Sequence, residues 1–294
     1  MKRLPPWIRV RLSAVSDMAA VQRILDSGHL NTVCDGAQCP NRAECFSRGT
    51  ATFMILGDTC TRACRFCAVQ KGTPVAPEAD EPGRVAEAAA RLKLKHAVVT
   101  SVTRDDLPDG GAGLFAATIR ELRARLPEAS VEVLIPDFKG DRILLETVLA
   151  AGPDVLNHNL ETVRRLQAAI RPQADYERSL GVLRNAAAWR GERPARVKSG
   201  LMTGLGETDL EIEEAMGDLR AAGVEFLTLG QYLAPSAGHA PVERYVEPGQ
   251  FEIWGRRALE MGFAGVASGP LVRSSYRAER MLEQHGKTVG KAKT

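Results

Sequence analysis

Between Thr52 and about Ser268 the chain alternates two apolar patterns. Short β-branched or apolar runs recur as FMIL, AVVTSV, VEVLIP, DVLNHN, VKSGLM, FLTLGQ and AGVAS, and such runs read as buried strands. Between them, residues 84–95, 114–126, 144–151, 176–189 and 208–222 carry apolar positions three and four apart, the spacing of one helix face. Repeated strand–helix units give an α/β fold, a parallel and partly open (β/α) barrel over residues 51–268. Residues 1–50 then form an N-terminal extension and 269–294 a C-terminal tail, whose lysines Lys287, Lys291 and Lys293 read as a solvated end. In such barrels reactive groups stand on loops at the C-terminal ends of strands. The segment CTRACRFC, Cys60 to Cys67, follows FMIL in that position.

Composition narrows the class. A chain of 294 residues allows two small domains or one large barrel. With 44% hydrophobic and 26% charged residues, it is neither disordered nor collagen-like nor embedded in a membrane. Lys and Arg (39) against Asp and Glu (36) leave a net charge of +3 with no basic cluster in the body, so no nucleic-acid partner is expected. The longest apolar runs, such as Phe53 to Leu56, fall far short of the roughly 20 residues needed to cross a bilayer. The opening MKRLPPWIRVRL places Pro5, Pro6, Arg9 and Arg11 where a signal peptide needs an unbroken apolar core. A cytoplasmic chain is expected, and disulfides are then a poor use for its cysteines.

All six cysteines lie between Cys34 and Cys67, in two triplets. Cys34, Cys39 and Cys45 are separated by four and five residues, and Cys60, Cys64 and Cys67 by three and two. Structural zinc takes four protein ligands, often from paired C-x2-C knuckles, and only one close pair is present. Thiolates also suit iron–sulfur clusters, and three of them on a four-iron cube leave one iron open to another ligand.

The CTRACRFC segment resembles the C-x3-C-x-aromatic-C motif of the radical S-adenosylmethionine (SAM) enzymes. That resemblance implies a [4Fe–4S] cluster on Cys60, Cys64 and Cys67 whose free iron binds SAM, with Phe66 near the adenine. The C-x4-C-x5-C triplet just before it and the Arg273-Ser274-Ser275-Tyr276 motif resemble the lipoyl synthases, as do ILGDTCTRACRFCAV, TSVTRDDLPDGG, NHNLET, GLMTGLGET and GQYLAPS. The family resemblance implies a barrel of the radical SAM type and a second, auxiliary [4Fe–4S] cluster on Cys34, Cys39, Cys45 and a serine, Ser275 in preference to Ser274. It further implies insertion of two sulfur atoms at C6 and C8 of an octanoyl group on a lysine of a lipoyl carrier domain or glycine-cleavage H protein, with the auxiliary cluster as sulfur donor. A low-potential electron donor such as ferredoxin or flavodoxin, and a cluster-repair protein, would be its partners. Two rivals remain: another radical SAM enzyme with an auxiliary cluster, and a two-cluster electron-transfer protein.

Other polar residues offer candidates for holding SAM. Asn159 and Glu161 follow a strand and compete with a helix-cap reading. By resemblance, Asp105 in the TRDDLPDGG loop stands where related enzymes hold the methionine amino group, whereas Asp106 and Asp109 fit a turn. The Gly204–Glu207 stretch is either an amide cradle or a glycine turn. Lys198 has no identifiable partner, and His29, His96, His239 and His285 show no ligand spacing.

Overall fold

The computed structural model describes residues 4–8, 15–48, 51–276, 278, 279, 281 and 282. Lys287, Lys291, Lys293 and His285 lie outside the described residues. Ten strands occur among them: β1 (Asn31–Thr32), β2 (Thr52–Ile55), β3 (Thr59–Cys60), β4 (Gln70–Lys71), β5 (His96–Ser101), β6 (Ser130–Leu134), β7 (Val155–Asn157), β8 (Arg196–Thr203), β9 (Phe226–Gln231) and β10 (Gly265–Gly269). The main sheet runs β1-β2-β5-β6-β7-β8-β9-β10. All its pairings are parallel except β1 against β2. Each of the seven apolar runs thus contributes one parallel strand.

Helices α1 (Val15–Ser27), α2 (Val33–Gly36) and α3 (Arg42–Ser47) precede the parallel strands. Then follow α4 (Glu81–Arg91), α5 (Ala112–Arg125), α6 (Arg142–Ala150), α7 (Gln167–Ile170), α8 (Tyr176–Ala188), α9 (Asp209–Ala221) and α10 (Pro248–Glu260). Apolar spacing finds five of these seven and leaves out the four-residue α7 and α10, although Phe251, Trp254 and Ala258 mark the buried face of α10. Boundaries follow local chemistry. Pro82 lies in the first turn of α4, where its missing N–H costs nothing, and Thr208 with Glu211 closes a capping box on α9. Between sheet and helices lies one continuous core, including Val99, Val133, Leu156 and Leu227 from strands and Phe115, Ile119, Leu183 and Met216 from helices. Each such side chain contributes about 1.5–3 kcal/mol by leaving water.

The lower part of the sheet also buries charge. Lys198 on β8 donates to Glu132 on β6 at 2.8 Å, both side chains being 1% exposed. Asn157 adds a bond at 3.3 Å and His96 stands 3.4 Å away. Burial alone would raise the Glu132 carboxyl, but Lys198 and His96 hold it below its ordinary range. Such a depressed group stabilises the fold above its unfolded pKa of about 4.5 and loses that contribution as pH falls. Lys198→Met strands the carboxylate, which costs about 3–5 kcal/mol near neutrality. Urea unfolding at pH 7 and at pH 4 should show this deficit narrowing at the lower pH. An equal deficit at both would place the loss in packing.

Candidate active site at the barrel rim

At the end of β2 the chain turns away from the sheet through Leu56 (φ 70°) and Gly57 (φ 90°). The loop that follows carries Cys60, Cys64 and Cys67 and is tied down along its length. Thr61 donates through its amide (3.1 Å) and hydroxyl (2.9 Å) to the Thr103 carbonyl. Arg62, 5% exposed, donates to both oxygens of Asp105 at 2.6 and 2.9 Å and to both of Asp137 at 2.7 and 3.0 Å. Asp137 also accepts from Arg178 at 2.8 Å. Its burial would raise its carboxyl, yet the bond and charge of Arg62 above all hold it well below the ordinary range. Further along, the Arg65 amide donates to Ile170 and its carbonyl accepts from Ala240, both at 2.8 Å. His239 Nε2 lies 3.1 Å from the Cys67 carbonyl, and Ser236 stands 2.8 Å from Nδ1. That pair of contacts requires the ring proton on Nε2.

Facing this loop is the segment after β7. Asn159 donates to Glu161 at 3.1 Å and to the Ser274 hydroxyl at 2.7 Å. Burial pushes the Glu161 carboxyl up, against the pull of Arg171 and Asn159. Glu161 is close enough to Cys64 and Cys67 for its charge to bear on both thiols. Arg171 donates to the Asn159 and Leu160 carbonyls at 3.3 and 3.1 Å and also bonds Cys64. Phe66, partly buried, packs against a small apolar cluster of Ile170, Leu205, Tyr232 and Ala240. Asp105 has both oxygens engaged by Arg62, Asp106 pairs with Arg104 at 2.8 Å, and Asp109 accepts from the Gly111 and Gly113 amides. Glu207 itself takes the Gly204 and Leu205 amides at 2.5 and 2.9 Å, so that stretch is a self-satisfied turn.

The first triplet stands at the sheet edge. Thr32 caps α2, which carries the buried Cys34. The Cys39 amide bonds the Cys34 carbonyl at 3.0 Å, and the Cys45 amide bonds Asn41 at 2.9 Å. The chain beyond β10 reaches this triplet. Asn41 donates to the Leu271 carbonyl at 2.7 Å, and the Tyr276 hydroxyl donates to Glu44 at 3.1 and 3.2 Å. Arg273 lies beside Cys39, lowering a thiol that burial raises. Ser275, partly buried, sits between Arg273 and Tyr276 on this segment. The segment runs so close over β9 that a Cβ on Gly230 would meet the Val272 carbonyl at 2.1 Å. Only glycine fits there.

Residues 54–219 match the radical SAM superfamily. Across nearly the whole chain, a lipoyl synthase of Nitratidesulfovibrio vulgaris (strain Hildenborough) is 56% identical, over 94% of this chain and 92% of that one. The chain belongs to the lipoyl synthase family. A lipoyl synthase of Oleidesulfovibrio alaskensis is 53% identical over 96% of both chains. The crystal structure of methylornithine synthase shares the fold, with a TM-score of 0.54 at 11% identity over 95% of this chain and 93% of that one. So does coproporphyrinogen III oxidase from Escherichia coli, described as a radical SAM enzyme, with a TM-score of 0.51 at 14% identity over 76% and 56%. As a lipoyl synthase family member the chain is a radical SAM sulfurtransferase, and its superfamily uses SAM and a [4Fe–4S] cluster.

The rim suits such a lipoyl synthase site. Three thiols on one loop are soft donors for iron. Burial pushes Cys67 up to about 11 and raises Cys64; Cys34 is pushed up to about 12. A thiol gives up its proton when it takes a metal ion. Near the loop, Asn159 Oδ1, His158 Nε2 and Arg171 Nε are buried without a partner in the protein, as polar groups facing a polar ligand would be. Among the described residues, no three His, Cys, Asp or Glu side chains converge on a single-ion site. No described helix is long and apolar enough to cross a membrane.

Arg62, Asp137 and His239 escape a reading of the sequence. Arg62 stood in plain view between two cysteines, but its acid partners lie 43 and 75 residues away. Arg62→Met strands the fully buried Asp137 carboxylate, a change that costs about 3–5 kcal/mol when a buried pair is broken. Urea unfolding of the cluster-free chain should register that loss. A deficit below about 1 kcal/mol would mean that Arg178 alone satisfies Asp137.

Proposed function

We propose that the chain inserts two sulfur atoms, at C6 and C8, into an octanoyl group on a lysine of a lipoyl carrier domain or glycine-cleavage H protein. Cys60, Cys64 and Cys67 hold the [4Fe–4S] cluster that binds SAM. Cys34, Cys39, Cys45 and Ser275 hold the auxiliary [4Fe–4S] cluster that donates sulfur. One observation carries this reading: the segment 271–276 touches the surroundings of both triplets, through Arg273 beside Cys39 and through Ser274 on Asn159. Asn159 in turn bonds the Glu161 that faces Cys64 and Cys67. A single acyl arm entering this rim would meet both.

Reduced and bound, the radical cluster and SAM supply a carbon radical able to take hydrogen from unactivated C–H bonds, which no acid or base can do. The residues of the chain hold the reactants. Phe66 and its apolar neighbours give a seat for the adenine, while Asn159 and Glu161 offer polar atoms to the ribose and methionine groups. Asp105 serves this site by fixing Arg62 and hence the loop, its oxygens being engaged there. Serine is a harder and less favoured iron ligand than thiolate, so Ser275 would hold its iron less firmly than Cys34, Cys39 and Cys45 would hold theirs. Residues 1–50 act as the extension carrying the auxiliary triplet, 51–268 as the radical SAM barrel and 269–294 as the tail returning Ser275. A ferredoxin or flavodoxin class donor supplies the low-potential electron, a repair protein rebuilds the auxiliary cluster, and the reaction belongs in the cytoplasm.

The two triplets should separate experimentally. Replacing Cys60, Cys64 and Cys67 by Ala should leave about four irons per chain and abolish SAM cleavage. Replacing Cys34, Cys39 and Cys45 should keep cleavage to 5′-deoxyadenosine and abolish sulfur insertion. With isotopically labelled sulfide built into the clusters, mass spectrometry of an octanoyl-lysyl peptide should find label in the product, with about one product per chain when no repair protein is present. Unlabelled product, or many turnovers with the auxiliary cluster unchanged, would remove the donor role. Failure to bind SAM would favour the electron carrier.

A further inference from the structure

The Asn159–Ser274 hydrogen bond joins the two halves of the rim, and neither residue needs to touch an auxiliary iron for the bond to matter there. Ser274 accepts from Asn159 Nδ2 at 2.7 Å across 115 residues of sequence. Asn159 is itself fixed: its second amide hydrogen goes to Glu161 at 3.1 Å, and its carbonyl is held by Arg171. The next residue in the tail is Ser275. On the other side of Ser274, the backbone is pressed against Gly230 and bonded through Leu271 to Asn41. Ser275 is therefore flanked by one side-chain anchor on each side: Ser274 on Asn159 and Tyr276 on Glu44.

We propose that Ser274 is a positioning residue that sets the direction of Ser275 toward Cys34, Cys39 and Cys45, by accepting the amide of Asn159. This rests on Ser275 being the fourth ligand of the auxiliary cluster. It assigns the two serines different tasks: Ser275 binds iron, and Ser274 registers the tail against the segment that faces Cys64 and Cys67. The fourth ligand is thereby held from the radical side of the rim.

The test uses Ser274→Ala, with Ser274→Thr as the variant that keeps a hydroxyl. In the cluster-free full-length chain, hydrogen exchange of residues 271–276 should quicken about fivefold in Ser274→Ala, the effect of losing one hydrogen bond. Peptides from the central strands should stay unchanged, and Ser274→Thr should return the tail toward wild type. After reconstitution with iron-57 in a background where Cys60, Cys64 and Cys67 are Ala, the Mössbauer spectrum of the remaining cluster should shift in Ser274→Ala in the same sense as in Ser275→Ala, and less in Ser274→Thr. If Ser275→Ala moves the spectrum while Ser274→Ala leaves both spectrum and exchange at wild type, the positioning role is overturned and the ligand assignment stands. If Ser275→Ala itself leaves the spectrum unmoved, the assignment falls and the positioning role falls with it.

Discussion

A sheet that curls without closing has two edges to reconcile, and the hydrogen bond from Asn41 to the Leu271 carbonyl is where this molecule reconciles them. Asn41 belongs to the segment after β1, one edge strand, and Leu271 to the segment after β10, the other. Unpaired edges invite association with other chains. Here the gap is bridged at the rim by side chains instead of by a further strand pairing. Tyr276 on Glu44 and Arg273 beside Cys39 reinforce the bridge. The geometry of the first cysteine triplet depends on this meeting, because the groups around it come from both sides of the gap.

The second triplet is held by a different principle. Its loop is short and local, and its rigidity comes from the loops that follow neighbouring strands: Thr103 and Asp105 after β5, Asp137 after β6, Ile170 beyond β7 and His239 after β9. The strongest of these ties is electrostatic. Arg62 brings a full positive charge beneath the cysteine loop, and two carboxylates neutralise it through four charge-assisted hydrogen bonds. Buried groups of this kind add little net stability relative to a well-packed apolar core, yet they allow few alternative arrangements. A loop that must present three thiols in one geometry benefits from that restriction.

How legible all this was in the sequence depended on range. Periodicity carries the strands, since FMIL, AVVTSV and the other runs each mark a buried strand, and it carries five helices because their apolar faces are regular. It fails for α10, where Pro248, Phe251 and Trp254 announce a helix less plainly than a long amphipathic run. Both cysteine triplets are legible because their members are close in sequence. Partners on different strands are not: Lys198 pairs with Glu132 across 66 residues, and His239 meets Cys67 across 172. Neither separation corresponds to any local period. Asp105 is legible only as a carboxylate in a polar loop, and its bonds to Arg62, 43 residues away, emerge from the folded geometry. The serine pair shows the same limit, since spacing alone does not reveal which of the two Asn159 engages.

The gap between the sheet edges also imposes an order on biosynthesis. The ties that reach the loop of Cys60, Cys64 and Cys67 from β5 and β6 are translated soon after it, and those from Ile170, His239 and Ala240 follow later, so that loop can begin to settle while the chain is still growing, as domains generally fold in the order they are made. The surroundings of Cys34, Cys39 and Cys45 cannot. The chain must grow the 230 positions from Asn41 to Leu271, and the sheet must curl, before the two edges meet. Throughout that interval three thiols near the start of the chain wait as open, oxidisable side chains, exposed to oxidants and to stray metal ions. The half of the rim encoded first is thus the half completed last.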